Sequence, residues 1–269
     1  GRVARYAWGR DYHAVLRERL SALARLLEAR LTLPLRSRVF ADAVPLLERA
    51  LARQAGLGFI GRNTLLIQPG IGSFSFLGEI LLDVEIEPEP LAATSVSDAT
   101  ALSPKGCGGC RRCVSRCPTG AIIETEVENG KLDSRRCISY LTIEKRSVLS
   151  AEEGQLLGDW VFGCDVCQDE CPFNHRGVPE TTLADFRAGA GVGPVLDLAD
   201  LITVRTAGEY RKRFAGTSLL RAKREQLLRN ALCVLVNQRA FEALPVIAES
   251  LHRDPSELVR HHAKRALIA

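Results

Sequence analysis

Between residues 11 and 30, apolar side chains recur at three- and four-residue steps: Val15, Leu16, Leu20, Leu23, Leu26 and Leu27. That spacing predicts an amphipathic helix, and Pro34 stops it. Residues 45–55, PLLERALARQA, predict a second helix with Pro45 in its first turn, ended by Gly56 and Gly58. Residues 64–68 (TLLIQ) and 76–86 (FLGEILLDVEI) predict strands around the Gly-rich turn PGIGS. The stretch 87–104 is rich in Pro, Ser, Thr and Ala and reads as a linker. A short strand pair is predicted over Ile122–Val127 and Lys131–Asp133, across Glu128-Asn129-Gly130. After Pro179 the pattern turns helical to the end, with Leu219, Leu220, Leu227, Leu228, Ala231, Leu232 and Leu235 on one spacing. Phe241–Leu251 and Ser256–Leu267 continue it, and LLRNAL (227–232) resembles part of LVRHHAKRAL (258–267) about thirty residues on. Two short helical-hairpin repeats, stacked on each other, are expected there.

Composition narrows the class. The chain has 269 residues, 46% hydrophobic and 25% charged, which fits an ordinary globular protein of one large or several small domains. Disorder and collagen-like repetition are excluded. No run of eighteen apolar residues exists, so no transmembrane helix is expected. The start, GRVARYAWGRDYH, lacks the apolar core of an export signal. It also lacks an initiator Met, and a preceding segment is expected. A cytoplasmic monomer is the expectation, with no membrane partner. Net charge is +4, but 13 Lys and Arg face only 6 Asp and Glu between Arg205 and Ala269. A basic C-terminal third suggests a polyanionic partner, although solvated helix faces produce the same pattern.

Cysteine supplies the chemistry. Eight of the nine cysteines fall between positions 107 and 171. The first block is Cys107-x2-Cys110-x2-Cys113-x3-Cys117-Pro118. This is the bacterial ferredoxin run, whose fourth cysteine serves the neighbouring cluster. Zinc sites pair two C-x2-C knuckles across a longer span, so three cysteines in seven residues favour iron–sulfur over zinc. The second block, Cys164-x2-Cys167-x3-Cys171-Pro172, has one cysteine fewer, and Cys137 in SRRCISYL can complete it. The crossed arrangement gives one [4Fe–4S] cluster on Cys107, Cys110, Cys113 and Cys171. It gives the other on Cys117, Cys137, Cys164 and Cys167. Two such clusters pass single electrons. Cys233, in LCVLV, reads as a small buried hydrophobe.

Gly56-Leu57-Gly58-Phe59-Ile60-Gly61 matches G-x-G-x-x-G. A dinucleotide fingerprint follows a strand and opens a helix. Here the run follows a predicted helix and opens a strand, so Rossmann-type binding is rejected. Asp42, in VFADAVPLLERAL, reads either as a helix cap or as a proton donor beside a reducing centre.

Taken together, the segments RYAWGRDYH, Asp42-x-x-Pro45-x-x-Glu48, AGLGFIGRNTLLI, GSFSFLGE, the first cysteine block, RRCISYLTIE and GCDVCQDECPFN resemble the epoxyqueuosine reductases over nearly the whole chain. The resemblance implies a cobalamin-dependent oxidoreductase with two [4Fe–4S] clusters. Its reaction would reduce the epoxide of epoxyqueuosine at the tRNA wobble nucleoside, the last step of queuosine synthesis. It implies an α+β protein with an α/β cobalamin-binding domain (1–100), a ferredoxin-like two-cluster domain (101–180) and C-terminal α-helical HEAT-like repeats (181–269). The family's proton donor falls on Asp42, and its cluster ligands fall on the eight cysteines as crossed above. Corrin walls are expected at Arg5, Asp42, Leu66, Leu77, Ser139 and Asp165. No D-x-H-x-x-G motif is present, so no protein His is expected on cobalt. tRNA phosphates are expected at Arg221, Lys223, Arg224, Arg229, Arg260, Lys264 and Arg265. An external one-electron donor is a further expected partner. A reductive dehalogenase-like enzyme and a plain ferredoxin-type carrier remain as alternatives, with a zinc-knuckle protein behind both.

Overall fold

A computed structural model describes residues 1–31, 34–42, 44–86, 106–124, 130–175 and 177–268. The linker read at 87–104, the turn residues Glu128 and Asn129, and Ala43 lie outside them. The chain opens with β1 (Arg2–Val3), followed by α1 (Tyr12–Leu31), β2 (Ser37–Phe40) and α2 (Glu48–Gln54). Three short strands follow: β3 (Phe59–Ile60), β4 (Leu66–Ile67) and β5 (Glu79–Leu82). The cysteine region carries α3 (Arg112–Arg116), β6 (Ile122–Ile123), β7 (Lys131–Leu132), a π-helical turn at Tyr140–Glu144, α4 (Ala151–Leu156), β8 (Trp160–Phe162) and α5 (Val166–Asp169). The remainder is helical: α6 (Leu198–Leu201), α7 (Ala207–Arg213), α8 (Arg224–Asn237), α9 (Leu244–Arg253) and α10 (Glu257–Ile268).

The two long N-terminal helices stand where the periodicity placed them, although α2 starts three residues after Pro45. The G-x-G-x-x-G run does leave α2 and open β3. Gly56 takes φ 74° after the helix, the left-handed conformation that glycine adopts without strain. The strand pairing departs from expectation. The segments around PGIGS do not pair with each other. β4 pairs with β3 and β5 with β2, both antiparallel. Gly72 explains the divergence. It sits at φ 90°, and a Cβ there would lie 2.2 Å from the Asn174 side-chain oxygen. Ser73 N–H donates to that same oxygen at 2.7 Å. The loop is thus tied to the second cysteine block, which steers the chain away from a hairpin. β2 (SRVF) was not foreseen. Among the described residues its ladder partner is β5 alone, and two of its four residues are exposed. After Pro179 the chain runs through 3-10 turns before regular helix begins at Leu198.

One hydrophobic core draws on all three expected segments. Val3, Ala4 and Ala7 pack with Leu141, Leu149, Trp160, Val161 and Phe162, and with Leu227, Leu228, Ala231 and Leu232 of α8. β1 lies parallel to β8, and the N-terminal ammonium donates to the Leu196 carbonyl at 2.7 Å. α8, α9 and α10 pack together at the C-terminal end, α10 against both others. Cys233 is buried in α8, with its Sγ near Gly154.

The most consequential packing feature is polar. Arg229 of α8 is fully buried. Its guanidinium donates to the carbonyls of Leu141 (2.7 Å), Lys145 (2.7 Å) and Ser147 (2.6 Å). Gln226 donates to Ile143 and Lys145, and Asn230 to Thr142 and Val161. Spaced three and four residues apart, these side chains share one helix face. They satisfy carbonyls that a one-turn π-helix leaves without partners. Burial lowers the Arg229 pKa to about 10, still far above neutrality, so the charge persists. Among the described residues no helix is long and apolar enough to cross a membrane.

Candidate functional site

Cys107 and Cys110 approach α3 along one loop, Cys113 sits in its first turn, and Cys171 joins them after α5. The four line one small cavity with Ile67, Pro172 and Phe173. The backbone N–H of Arg62 points at the Cys107 sulfur at 3.4 Å. Burial, and then Cys107, Cys171 and Cys110, push the Cys113 thiol up to about 11. In the other set, burial pushes Cys164 up to about 12, with Cys137 and Cys117 adding to it. Burial likewise raises Cys167, followed by Cys164 and Cys137. Cys113 of the first block also acts on Cys167, so the two groups of thiols lie close enough to influence each other. Burial opposes the Cys117 thiolate, but Thr119 and the N–H groups near Ala121 outweigh it and lower its pKa. Crowded thiols favour their protonated forms until a cationic centre is bound. Among the described residues no three His, Cys, Asp or Glu side chains close on a single metal-ion position. Around a cubane each thiolate binds its own iron, so open space between the sulfurs suits a cluster.

Beside the second set opens a cleft of about 2110 Å³. That is roughly twice the upper range of sites for drug-sized ligands. Asp42, Tyr12, Phe76 and Leu77 line it together with Cys137, Ser139, Tyr140 and Glu144. Asp42 sits at φ 50°, a left-handed conformation uncommon outside glycine. Its side chain is 48% exposed. Tyr12 Oη donates to Asp42 Oδ2 at 2.6 Å, and Arg221 Nη1 reaches the same oxygen at 3.4 Å. Arg221 also pairs with Glu144 at 2.9 Å. His13 Nε2 stands 3.8 Å from Asp42 Oδ2, while its Nδ1 meets Asp11 at 2.8 Å. The Tyr12 ring lies between His13 and Phe76, at 4.0 and 4.5 Å. Burial first, then the hydrogen bond to Asp42, raises the Tyr12 pKa, so Tyr12 is a fixed donor. A carboxyl held by two donors and a cysteine thus line one open space.

The expected corrin walls divide. Arg5, Asp42, Leu77 and Ser139 line the cleft; Leu66 and Asp165 do not. Leu66 is buried in β4, and its neighbour Leu65 takes the lining position. Asp165 is buried and accepts the Arg5 N–H at 2.6 Å, a supporting role. Burial raises its pKa to about 6. The Arg5 guanidinium lies 4.3 Å over the Phe74 ring and 3.6 Å from Asp169.

The basic residues divide too. Arg221 belongs to the cleft, where it engages Asp42 and Glu144. Arg224 is 5% exposed, pairs with the fully buried Asp254 and donates to the Val204 carbonyl. Arg229 is buried against carbonyls as described, so neither it nor Arg224 presents a free surface charge. Arg260 and Arg265 each donate to a carbonyl, of Asp254 and Leu149. Lys223 and Lys264 are exposed. Sequence reading missed Tyr12, His13 and Glu144, although the first two lie in RYAWGRDYH and the last in CISYLTIE.

Residues 106–174 match the family described as a 4Fe-4S double cluster binding domain. Residues 1–43 match the family described as Epoxyqueuosine reductase QueG, DUF1730. An epoxyqueuosine reductase of Xanthomonas campestris is 42% identical over 267 residues, covering 98% of this chain and 69% of its own length. A crystal structure of an epoxyqueuosine reductase with an epoxyqueuosine-modified tRNA-Tyr stem loop superposes with a TM-score of 0.83. It is 30% identical and covers 99% of this chain and 66% of its own. The Bacillus subtilis epoxyqueuosine reductase, solved with its aspartate catalytic loop swung out of the active site, gives a TM-score of 0.80 at 30% identity. It covers 99% of this chain and 65% of its own. The chain thus spans about two thirds of the length of these relatives.

Proposed function

The chain belongs to the epoxyqueuosine reductase family, and from that premise we propose that it reduces the epoxide of epoxyqueuosine to the alkene of queuosine at the wobble position of tRNA. The observation that carries this reading is the sharing of one cleft by Asp42 and Cys137. A proton source and an electron-delivering ligand face the same space. The two cysteine sets fit two [4Fe–4S] clusters, one on Cys107, Cys110, Cys113 and Cys171, the other on Cys117, Cys137, Cys164 and Cys167. The second set abuts the cleft through Cys137, so electrons leave the protein there. Cobalamin, when bound, would supply the strongly reducing cobalt centre that breaks the carbon–oxygen bond.

The residues present fit such a group. The cleft is large and lined in part by apolar side chains, among them Phe74, Phe76 and Leu77. Arg5, Leu77 and Ser139 would line the seat, with Leu66 and Asp165 behind them. Opening an epoxide to an alkene takes two electrons and two protons and releases water. Asp42 gives one proton to the oxygen as its first bond to carbon breaks and, reprotonated from solvent on its half-exposed side, a second as the oxygen leaves as water. Tyr12 and Arg221 hold the carboxylate left behind. The Asp42 turn would correspond to the loop seen swung out in the Bacillus subtilis relative. Lys223 and Lys264, with the outward donors of Arg260 and Arg265, would meet tRNA phosphates. The target base must leave its stack to reach Asp42. On this reading the protein acts as a cytoplasmic monomer served by an external one-electron donor.

Anaerobic reconstitution with iron, sulfide and cobalamin tests the proposal, read by metal analysis, EPR and product formation on modified tRNA. About eight irons per chain, bound cobalamin and the alkene product are expected. Asp42→Asn is expected to keep iron and cobalamin and to slow turnover by about 10²- to 10⁴-fold. Wild-type turnover in that variant removes the proton-donor role. Eight irons without bound cobalamin removes the corrin from the reading.

A further inference from the structure

Two motif carboxylates take no part in the reading above. Glu48 ends the Asp42-x-x-Pro45-x-x-Glu48 series, and Glu79 ends GSFSFLGE. The structure brings both behind Asp42. The Asp42 N–H donates to Glu48 Oε1 at 2.6 Å. Glu79 faces Phe40 in the β2–β5 register, and Phe40 lies two residues before Asp42. Glu48 is the foremost charged group acting on the Glu79 carboxyl, and a hydrogen bond between the two side chains adds to its effect. Its second oxygen, Oε2, is buried without a partner.

The surroundings favour a shared proton. The charged groups acting on Glu79 are Glu48 from α2 and Asp42 from the turn, both acidic. α1 presents Leu20 beside Gly78. On the same sheet face, the Arg38 guanidinium lies over the Phe40 ring at 5.5 Å. Two carboxylates in contact with no donor between them repel, and one proton held between them turns repulsion into a hydrogen bond. Burial, then Glu48, pushes Glu79 from 4.5 up to about 7.

We infer that Glu48 and Glu79 share one proton and so hold the Asp42 backbone at the cleft. Glu48 is the positioning residue, and Glu79 keeps it in place. The inference deepens the proposed reaction and depends on it only for its catalytic consequence. The sign follows from linkage. The folded state binds this proton more tightly than the unfolded chain does. Its contribution to stability is therefore complete below pH 4.5 and fades as pH rises toward about 7. Above that, the ionised pair repels and its grip on the Asp42 turn weakens.

Amide hydrogen exchange of peptides spanning residues 38–48 tests this in the iron-reconstituted chain, without substrate, at pH 6 and pH 8. After correction for intrinsic exchange, protection is expected to fall about tenfold at the higher pH, the equivalent of one pKa unit. Glu79→Gln, whose amide donates to Glu48 at any pH, is expected to keep its protection at both. Glu48→Ala is expected to lose it at both. Equal wild-type protection at the two pH values overturns the inference, as does a Glu79→Gln profile identical to wild type. In turnover, Glu79→Gln should extend the alkaline limb of kcat/KM upward, whereas a purely structural Glu79 would scale the whole profile. Because exchange needs no turnover, an inactive chain with normal exchange behaviour sinks the proposed reaction and leaves the pair standing.

Discussion

The first cysteine set and the aspartate wall of the cleft differ in how their residues come together. Cys107, Cys110 and Cys113 fall within seven residues, on one loop and the start of α3, and Cys171 joins them from beyond α5. On the aspartate wall, Asp42 meets Tyr12 from α1, Glu48 from α2 and Arg221 from the turn before α8. Arg221 in turn meets Glu144 of the π-helical turn. That turn is held by Gln226, Arg229 and Asn230 of α8. The first set thus rests largely on local chain geometry, and the surroundings of Asp42 on long-range packing. A change far from the cleft can shift Asp42 while leaving Cys107, Cys110 and Cys113 in place.

Cys137 is the cysteine that lines the cleft with Asp42, and the largest expected effect lies there. Cys137→Ala removes the ligand that both completes the second set and lines the cleft. Loss of about four irons per chain is expected, with the set of Cys107, Cys110, Cys113 and Cys171 keeping its own four. Iron and sulfide analysis with EPR reads the outcome. An unchanged iron content would give the fourth position to another residue.

The same contrast explains what the sequence made legible. Cluster ligands at fixed short spacing announce themselves, and so does the long periodic helix α1. The strand at 76–86 was legible as β5, but β2 hid because it is only four residues long, and their pairing hid because they meet across an intervening helix and two further strands. Arg224 and Arg229 read as surface charge because sequence shows charge, not burial. Their carbonyl and carboxylate partners lie at positions such as Leu141, Ser147 and Asp254. A polar row Gln226, Arg229, Asn230 inside an otherwise apolar helix was the available signal, since such a row needs buried partners. Tyr12 and His13 were visible as part of a motif, but their meeting with Asp42 required the tertiary fold.

A smaller effect sharpens the aspartate wall alone. Tyr12→Phe removes the 2.6 Å hydrogen bond to Asp42 and keeps the ring stacked on Phe76. A hydrogen bond to a charged group contributes about 1.5–3 kcal/mol, so kcat/KM should fall about tenfold to a hundredfold. Iron content should not change. Single-turnover assays on modified tRNA measure it, and wild-type rates would assign the orientation of Asp42 to Arg221 alone.

The smallest expected effect separates exposed from buried charge at the helical end. Lys223 and Lys264 are exposed, whereas Arg224 is buried against Asp254. A phosphate contact reveals itself through counterion release, so each neutralised contact lowers the salt slope of binding by about one. The Lys223→Gln, Lys264→Gln double variant should therefore weaken tRNA binding and reduce the slope by about two, with the melting temperature unchanged. Arg224→Met should do the opposite. It leaves the buried Asp254 carboxylate with only the more distant Arg205, 3.9 Å away, as a cationic partner among the described residues, a loss of up to about 3–5 kcal/mol of stability, and leaves the salt slope as it was. Filter binding across a salt series and thermal melts measure both. A lysine variant with an undiminished slope would move the RNA-facing surface off this end of the molecule, to the rim of the cleft.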